Sequence, residues 1–454
     1  MMKPDNRPTP KTTQEPLSMR HILSTWWPLA VSWLFMALEG PMMSAVVARL
    51  AEPRIHLAAW SGIVWPLCLL IESPIIMLLS ASTALSRDWD SYRKLRRFMM
   101  AAGAILTGLH LAVACTPLYY VVAIQLIGAP AEIIEPARWG LILMTPWTWS
   151  IAYRRFNQGA MIRFGHSRAV GIGTVIRLSA DGLVLAAGYL IGAIPGIVVA
   201  SGAIAVGVVS EAVYAGLRVR PVLREQLKPA PPVAQPLTLQ NFVEFYTPLA
   251  LTSLLNMLLQ PMVSAALSRM PEALDSLAVW SVLNGFVFLL RSLSYALNEV
   301  VIALLDEPRA AENLRRLTVT LSVLTSAVML MTAATPPGAL WFGQISALSP
   351  QLTRMAQLGL WILLPIPGLN AFQSWYQGAI VHSRHTRIIT EAIAIFLLTN
   401  GVVLWAGAVR GETAGLYVGS AAFSVGMLTQ TAWLWWRSRP ALRTLQSRDA
   451  HAGC

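Results

Sequence analysis

The chain has 454 residues, of which 55% are hydrophobic and 12% are charged, and its formal net charge is +12. This composition excludes an ordinary soluble domain and is typical of a protein that crosses a membrane several times. The positive charge does not indicate a nucleic-acid partner, because the basic residues collect in alternate loops instead of forming one continuous surface. Three cysteines, Cys68, Cys115 and Cys454, have no metal-binding spacing. We therefore expect no bound metal, no cofactor and a bilayer environment.

Twelve apolar segments are each long enough to cross about 30 Å of hydrocarbon, which takes about 20 helical residues. In chain order they lie near residues 22–48, 56–84, 95–117, 138–158, 168–191, 196–217, 240–267, 275–304, 315–336, 354–379, 388–408 and 413–436. Most of the 34 Lys and Arg residues fall in loops on one side, which predicts that both termini are cytoplasmic. The first span has no cleavage site after it, so we expect it to be retained. The prediction is an all-α protein with twelve transmembrane helices in the cytoplasmic membrane.

The predicted spans form two lobes with a linker between them. The boundaries are a cytoplasmic N-terminal tail over 1–21, a first six-helix lobe over 22–224, a linker over 225–240, a second six-helix lobe over 241–437 and a C-terminal tail over 438–454. The linker contains Lys-Pro-Ala-Pro-Pro from Lys228, a composition that favours an extended and semi-rigid connection. The sequence does not fix the oligomeric state, and a monomer satisfies the pattern.

The two lobes are copies of each other. The stretch from Pro28 to Ser61 recurs without a gap as Pro248 to Ser281. Because each half has an even number of crossings, both copies enter and leave from the same face, which predicts two parallel six-helix repeats.

Four prolines inside spans match in pairs, Pro41 with Pro261 and Pro146 with Pro365. A proline removes one helical hydrogen bond and clashes with the preceding turn, so these positions are candidate kinks or hinges. The sequence leaves open whether the bends are static or move.

Ionisable residues within spans are candidate functional groups, because embedding a charge in a bilayer costs several kcal/mol. Glu39 lies just before Pro41, and we expect it to carry a coupling proton or to help bind sodium. Glu72 and Arg291 occupy equivalent positions in the two repeats with opposite charge. They predict a charge-paired gate or a substrate site, and the alternative is a permanent structural salt bridge.

Other polar groups complete the set of candidates. Asn256 and Gln260 lie close to Pro261 and are expected to line the second-lobe side of a binding site. Glu299 is a further candidate that sits nearer the end of its span, where reaching to water is the alternative. Arg177 and Asp181 stand four residues apart on one helix and are expected to neutralise each other.

No motif in the chain indicates an enzyme. The sequence has no phosphate-binding Gly-rich loop with Lys-Ser/Thr, no His-Glu-x-x-His and no nucleophile elbow. Energy for any uphill process would therefore come from an ion gradient, from the gradient of the substrate, or from a partner.

The pattern resembles a known family of transporters. A carboxylate before the proline of span 1 and the two copies of Gln-Gly-Ala, at Gln158 and Gln377, resemble the multidrug and toxic compound extrusion (MATE) fold and its wider flippase superfamily. Pro261-Met262-Val263, Ser268-Arg269 and Asn298-Glu299 look most like the progressive ankylosis branch. The resemblance implies two lobes around a central cavity that opens alternately to either side.

The expected function is a secondary active transporter that exports a small organic solute in exchange for protons or sodium. MATE-type members export organic cations, whereas the ankylosis branch is associated with phosphate-rich or carboxylate anions, so the charge of the substrate stays open. The alternatives are a flippase for a lipid-linked precursor and, less favoured, a membrane receptor or scaffold that transports nothing.

Overall fold

A computed structural model describes residues 18–233, 236–305, 307, 310–383 and 387–451, with side chains to residue 443. All regular structure in these ranges is helical, as predicted. Ten helical segments within them are long and apolar enough to span a bilayer. The chain is a multi-pass membrane protein. Most of the predicted N-terminal tail and the last three residues lie outside the described ranges.

The helices follow one another with short connections. In the first half they are α1 (Met19–Val47), α2 (Pro53–Ala59), α3 (Trp65–Glu72), α4 (Leu78–Leu85), α5 (Trp89–Cys115), α6 (Leu118–Tyr120), α7 (Ala131–Leu143), α8 (Thr145–Arg163), α9 (Ser167–Ile191) and α10 (Gly196–Val222). In the second half they are α11 (Leu239–Ser268), α12 (Ala273–Leu304), α13 (Ala310–Ala334), α14 (Pro336–Ala339), α15 (Pro350–Leu363), α16 (Ile366–His382), α17 (Arg387–Arg410) and α18 (Gly415–His451). Wider π-helical turns occupy Trp60–Val64, Val121–Ile127, Leu223–Leu227 and Leu340–Ile345.

Two of the twelve predicted spans are not among the ten apolar segments. The segment predicted over 138–158 is divided between α7 and α8, and α8 buries charged and amide side chains that lower its hydropathy. The segment predicted over 413–436 lies in α18, which is rich in Gly, Ser and Thr. The count of twelve spans in two six-helix repeats stays a prediction.

The matched prolines behave in two ways. The helices break at Met144, just before Pro146, and again at Leu364 and Pro365. Pro41 and Pro261 instead lie inside the continuous helices α1 and α11.

A further break at Pro74 was missed by the sequence analysis. It interrupts the span predicted over 56–84 between α3 and α4, because proline lacks an amide donor and clashes with the preceding turn. The freed carbonyl of Pro74 accepts a hydrogen bond from the Tyr246 hydroxyl of α11 at 2.5 Å. This hydrogen bond therefore connects the two halves of the chain at the break.

The predicted linker begins with helical structure. Helical structure continues to Leu227, because the first proline that can stop it is Pro229, and α11 begins at Leu239. The amide of Val233 donates to the Asp88 carboxylate at 3.4 Å, which attaches the linker to the start of α5. Helical structure thus includes the first three residues of the linker predicted over 225–240, and the domain boundaries stay a prediction.

The described outer ends of α1 and α18 lie on the same face. Met19 of α1 and Leu442 of α18 pack against one hydrophobic cluster. We call this side, together with the linker, the linker face. The other side, where α1 ends at Val47, is the opposite face.

Helix α1 connects the halves along its length. Trp26 donates its Nε1 proton to the Leu293 carbonyl of α12 at 3.2 Å. Further along, Gly40 and Gly285 bring the two backbones close, since a Cβ on Gly40 would lie 3.8 Å from Gly285 Cα. Any shift of α1 is thus transmitted to α12.

Candidate functional site

A cluster of buried charges fills the interior of the first half, and Arg177 of α9 lies at its centre. Its guanidinium forms an ion pair and two hydrogen bonds with the Glu39 carboxylate of α1. Arg177 Nε is 3.9 Å from Asp181 Oδ2, and Nη1 is 4.0 Å from Glu211 Oε2. The expected contact between Arg177 and Asp181 is therefore one of several, because one guanidinium contacts carboxylates from three helices.

Arg154 of α8 forms the second ion pair of the cluster. It binds Glu211 of α10, which also accepts a hydrogen bond from Gln158 Nε2 at 2.8 Å. Only 5% of the Arg154 side chain and 1% of the Glu211 side chain are exposed. Arg154 lies within the span predicted over 138–158, but it was not predicted as a site residue. Helix α8 begins only after the break at Met144 and runs to Arg163, which puts Arg154 in the middle of a buried helix.

Glu72, at the end of α3, lies beside these arginines. It is 3% exposed, and its Oε2 has no hydrogen-bond partner among the described residues. Arg155, Arg154 and Arg177 all interact with it electrostatically. The cluster contains the carboxylates of Glu39, Glu72, Asp181 and Glu211 and the guanidiniums of Arg154, Arg155 and Arg177. With every group ionised the cluster carries one excess negative charge, so a single added proton neutralises it.

The Asp181 side chain packs against the backbone of Gly207. A Cβ on Gly207 would overlap Asp181 Oδ1, so glycine is required at this crossing of α9 and α10. No hydrogen-bond donor reaches either Asp181 oxygen among the described residues, while the Glu39 carboxyl group interacts with it. A hydrogen bond between the Asp181 and Glu39 carboxyl groups would therefore require a proton on one of them.

The second half repeats this arrangement with neutral side chains. Gln373 and Gln430 stand at the positions of Arg154 and Glu211, and Gln373 Nε2 donates to Gln430 Oε1 at 3.1 Å. Asn400 stands at the position of Asp181 and packs in the same way against a glycine, Gly426. One site thus occurs twice, ionic in the first half and amide in the second.

Arg291 of α12 lies in the interior of the second half. Its Nε donates to Asn370 Oδ1 at 3.2 Å, and its guanidinium stacks over the rings of Tyr295 and Phe423 at 5.5 and 5.2 Å. Among the described residues no carboxylate lies within ion-pair distance of it. In this conformation the structure does not bring Glu72 and Arg291 together, since each contacts residues of its own half.

The remaining candidates lie apart from the cluster. Asn256 is exposed on α11 and Gln260 is half-buried there. Glu299 accepts a hydrogen bond from Trp33 Nε1 at 3.2 Å, where α1 meets α12. The sequence analysis did not identify Arg154, Arg155 or Gln158 as site residues. A comparison of the repeats offers the signal for them, because their counterparts Gln373, Ser374 and Gln377 are also polar at these positions.

Two arginines close the opposite face between the halves. Arg49, just after α1, donates to the carbonyls of Ile345 and Gln344 at 2.8 and 2.5 Å. Its repeat counterpart Arg269 donates to Ile127 and Leu126, both at 2.7 Å. Each arginine thus binds the end of a π-helical turn of the other half. We call Arg49 and Arg269 the paired clamps.

No grouping of three or more His, Cys, Asp or Glu suited to hold a metal ion occurs in the part of the chain that the structure describes.

The fold is similar to those of solved membrane transporters and of a lipid flippase. A MATE transporter in an inward-facing conformation is 13% identical, with 93% of this chain and 99% of that chain covered and a TM-score of 0.67. The lipid II flippase MurJ in an inward closed conformation is 12% identical, with coverage of 93% and 92% and a TM-score of 0.68. An outward-facing MATE transporter is 14% identical, with coverage of 94% and 96% and a TM-score of 0.59.

No family model and no curated protein matches the sequence. The likeness at these identities concerns the fold. The predicted resemblance to the MATE and flippase superfamily is confirmed at that level, and the ankylosis branch stays a prediction.

Proposed function

We propose that the protein is a secondary active transporter that exports a small organic solute by alternating access and is driven by a proton gradient, with sodium as the alternative coupling ion. In this proposal twelve spans form two parallel six-helix lobes, and both termini are cytoplasmic. The observation that carries it is the buried charge cluster around Arg177, which links α1, α3, α8, α9 and α10 in one lobe.

The cluster has the charge balance that proton coupling requires. A protein interior tolerates ionised groups only when they are paired, and breaking a buried pair is strongly unfavourable. One carboxyl group exceeds the number of guanidiniums here, so the cluster is neutral when one proton is bound. Binding and release of that proton change the charge in the lobe interior by one unit.

Glu39 converts that change into movement. Its ion pair with Arg177 holds α1 to α9, while Trp26 and Gly40 hold α1 to α12 of the other lobe. Protonation of Glu39 removes the ion pair and frees α1 from α9. Because α1 contacts both lobes, its release alters their relative position, which is the coupling step.

The second lobe supplies the substrate contacts in this proposal. Arg291 has aromatic and amide neighbours and no carboxylate partner among the described residues. An embedded arginine of this kind attracts an anionic group. We therefore favour a solute that bears a carboxylate or phosphate, with Asn256 and Gln260 on the second-lobe side of its path.

A flippase for a lipid-linked precursor is the second candidate. Arg291 favours it as well, since such precursors carry phosphates, and a lipid II flippase shares the fold. An enzyme has no such support, because the cluster contains no nucleophile held by a base. A receptor or scaffold that transports nothing stays the less favoured alternative.

Flux into inside-out proteoliposomes under imposed proton or sodium gradients tests the proposal. The panel contains organic cations, carboxylates, phosphate esters and a labelled lipid-linked precursor. We expect accumulation of one soluble class that stops when the proton gradient is collapsed. Movement of the labelled lipid alone supports the flippase, and no movement of any compound under either gradient contradicts both candidates.

A further inference from the structure

A cavity of about 460 Å³ opens on the linker face between the start of α9 and the end of α10. Residues 165–169, Ile172 and Arg218 line it. His166 at its rim lies 2.9 Å from Gln226, which precedes the linker. The cavity is separate from the charge cluster and plays no part in the proposed coupling.

The two arginines of this cavity have no acidic partner. Arg168 and Arg218 are exposed, and no carboxylate lies within ion-pair distance of either among the described residues. The amides at the start of α9 face the same space, and no side chain caps them. Both features attract an anion.

The second lobe provides an internal comparison. Arg387 and Arg437 are the repeat counterparts of Arg168 and Arg218. Both lie close to Glu391, at 3.8 Å from Arg387 Nε and 3.5 Å from Arg437 Nη1. The counterpart of Glu391 in the first lobe is Ile172. The first lobe therefore keeps both arginines and lacks the acid that neutralises them.

The replacement also changes the surface next to the arginines. Ile172 is 52% exposed, and Val175 and Leu217 beside it on α9 and α10 are 54% and 53% exposed. Ile172 and Val175 follow Arg168 by four and seven residues on one side of α9, and Leu217 precedes Arg218 on α10, so exposed apolar side chains adjoin the cavity. We call Ile172, Val175 and Leu217 the apolar track. A free phosphate has no apolar surface that could pack on this track, whereas the acyl chains of a lipid do.

We propose that this cavity is a binding site for an anionic phospholipid. Arg168, Arg218 and the first amides of α9 bind the phosphate of the headgroup, and the acyl chains lie on the track of Ile172, Val175 and Leu217. Basic pockets between transmembrane helices bind anionic headgroups in this way. The lipid supplies the negative charge that Glu391 supplies in the second lobe.

Native mass spectrometry of the full chain in detergent, titrated with phosphatidylglycerol, tests the site. Ile172→Glu places in the first lobe the acid found in the second, and Ile172→Gln is the matched neutral control. We expect Ile172→Glu to weaken lipid binding about tenfold or more, the effect of losing one charge-assisted hydrogen bond. Ile172→Gln should retain most of the affinity. Equal affinity in the two variants would overturn the proposal.

The reciprocal change is made in the second lobe. Glu391→Gln removes the acid there and should add a second bound phosphatidylglycerol, whereas an unchanged number of bound lipids would contradict the role assigned to the acid. Phosphatidylcholine with the same acyl chains should bind about tenfold more weakly, and equal binding of both lipids would also overturn the proposal. Inorganic phosphate at millimolar concentration should leave the lipid bound; displacement would identify free phosphate as the ligand instead. Thermal unfolding of each variant verifies that it is folded.

Discussion

The Arg154–Glu211 ion pair offers a sharp test, because the second lobe shows what replaces it. The perturbations are Arg154→Gln, Glu211→Gln and the double variant, which recreates the amide pair of Gln373 and Gln430. The neutral pair is already accommodated by the same architecture in the other lobe. The double variant should therefore fold.

The magnitudes follow from burial. The side chains of Arg154 and Glu211 are 5% and 1% exposed, and removing one partner of such a pair costs about 3–5 kcal/mol. Glu211→Gln should lie at the upper end, because Arg154 then has no paired carboxylate. Arg154→Gln should lie at the lower end, because Arg177 and Gln158 remain close to Glu211. The double variant should lose only about 1–2 kcal/mol, the scale of one or two hydrogen bonds.

The free energies of unfolding in mild detergent form a double-mutant cycle. The costs of the single and double variants correspond to a coupling energy of about 6 kcal/mol, above the range of about 0.5–3 kcal/mol usual for neighbouring groups. The control cycle uses Arg316 and Glu312, an exposed pair on α13 whose side chains are 66% and 68% exposed, and it should give about 0.5 kcal/mol or less. Single variants that each cost under about 1 kcal/mol and add without coupling would refute the reasoning.

Three further predictions concern the clamps, the substrate contact and the packing of α8. Substituting both Arg49 and Arg269 by Gln removes their hydrogen bonds between the lobes. The distance between spin labels on the two π-helical turns that accept these bonds, measured by electron paramagnetic resonance, should then include a new, longer component. An unchanged distance distribution would contradict a role in closing that face. Arg291→Gln should reduce the initial flux of anionic solutes at least tenfold, while Arg291→Lys should retain part of that flux. Equal initial fluxes in the Gln and Lys variants would exclude contact between Arg291 and the substrate. Gly159→Ala should lower the free energy of unfolding by about 2 kcal/mol or more, because the added Cβ would lie 2.6 Å from Ser82 Cβ. The control is Gly171→Ala, whose added Cβ meets nothing within 4 Å and which should be neutral or stabilising. Equal free energies of unfolding in the two variants would refute the packing argument.

The helical class and most span positions were predictable, because they depend on the length of the apolar segments. Glu39 was predictable as a buried group for the same reason, since it lies deep in an apolar segment beside a proline. Its partner Arg177 was visible on the same grounds. Hydropathy identifies such groups without any knowledge of their contacts.

The rest of the cluster depends on contacts that hydropathy does not report. Arg154 lies near the end of the span predicted over 138–158, and hydropathy does not show that the break at Met144 places it in the middle of α8. Glu211 is 1% exposed and pairs with Arg154, a contact that the sequence does not show. The separation of Glu72 from Arg291 is a tertiary property, because equivalent positions in two repeats face the interiors of their own lobes.

The most direct test of the central claim is to measure proton-driven solute accumulation by the Glu39→Gln variant. The variant keeps the shape and the depth of the side chain and removes its charge. Inside-out proteoliposomes with an imposed pH gradient measure uphill accumulation, and the same vesicles without a gradient measure exchange of labelled for unlabelled solute. We expect the wild-type protein to do both and Glu39→Gln to exchange without accumulating. Accumulation by Glu39→Gln equal to that of the wild type would contradict the account.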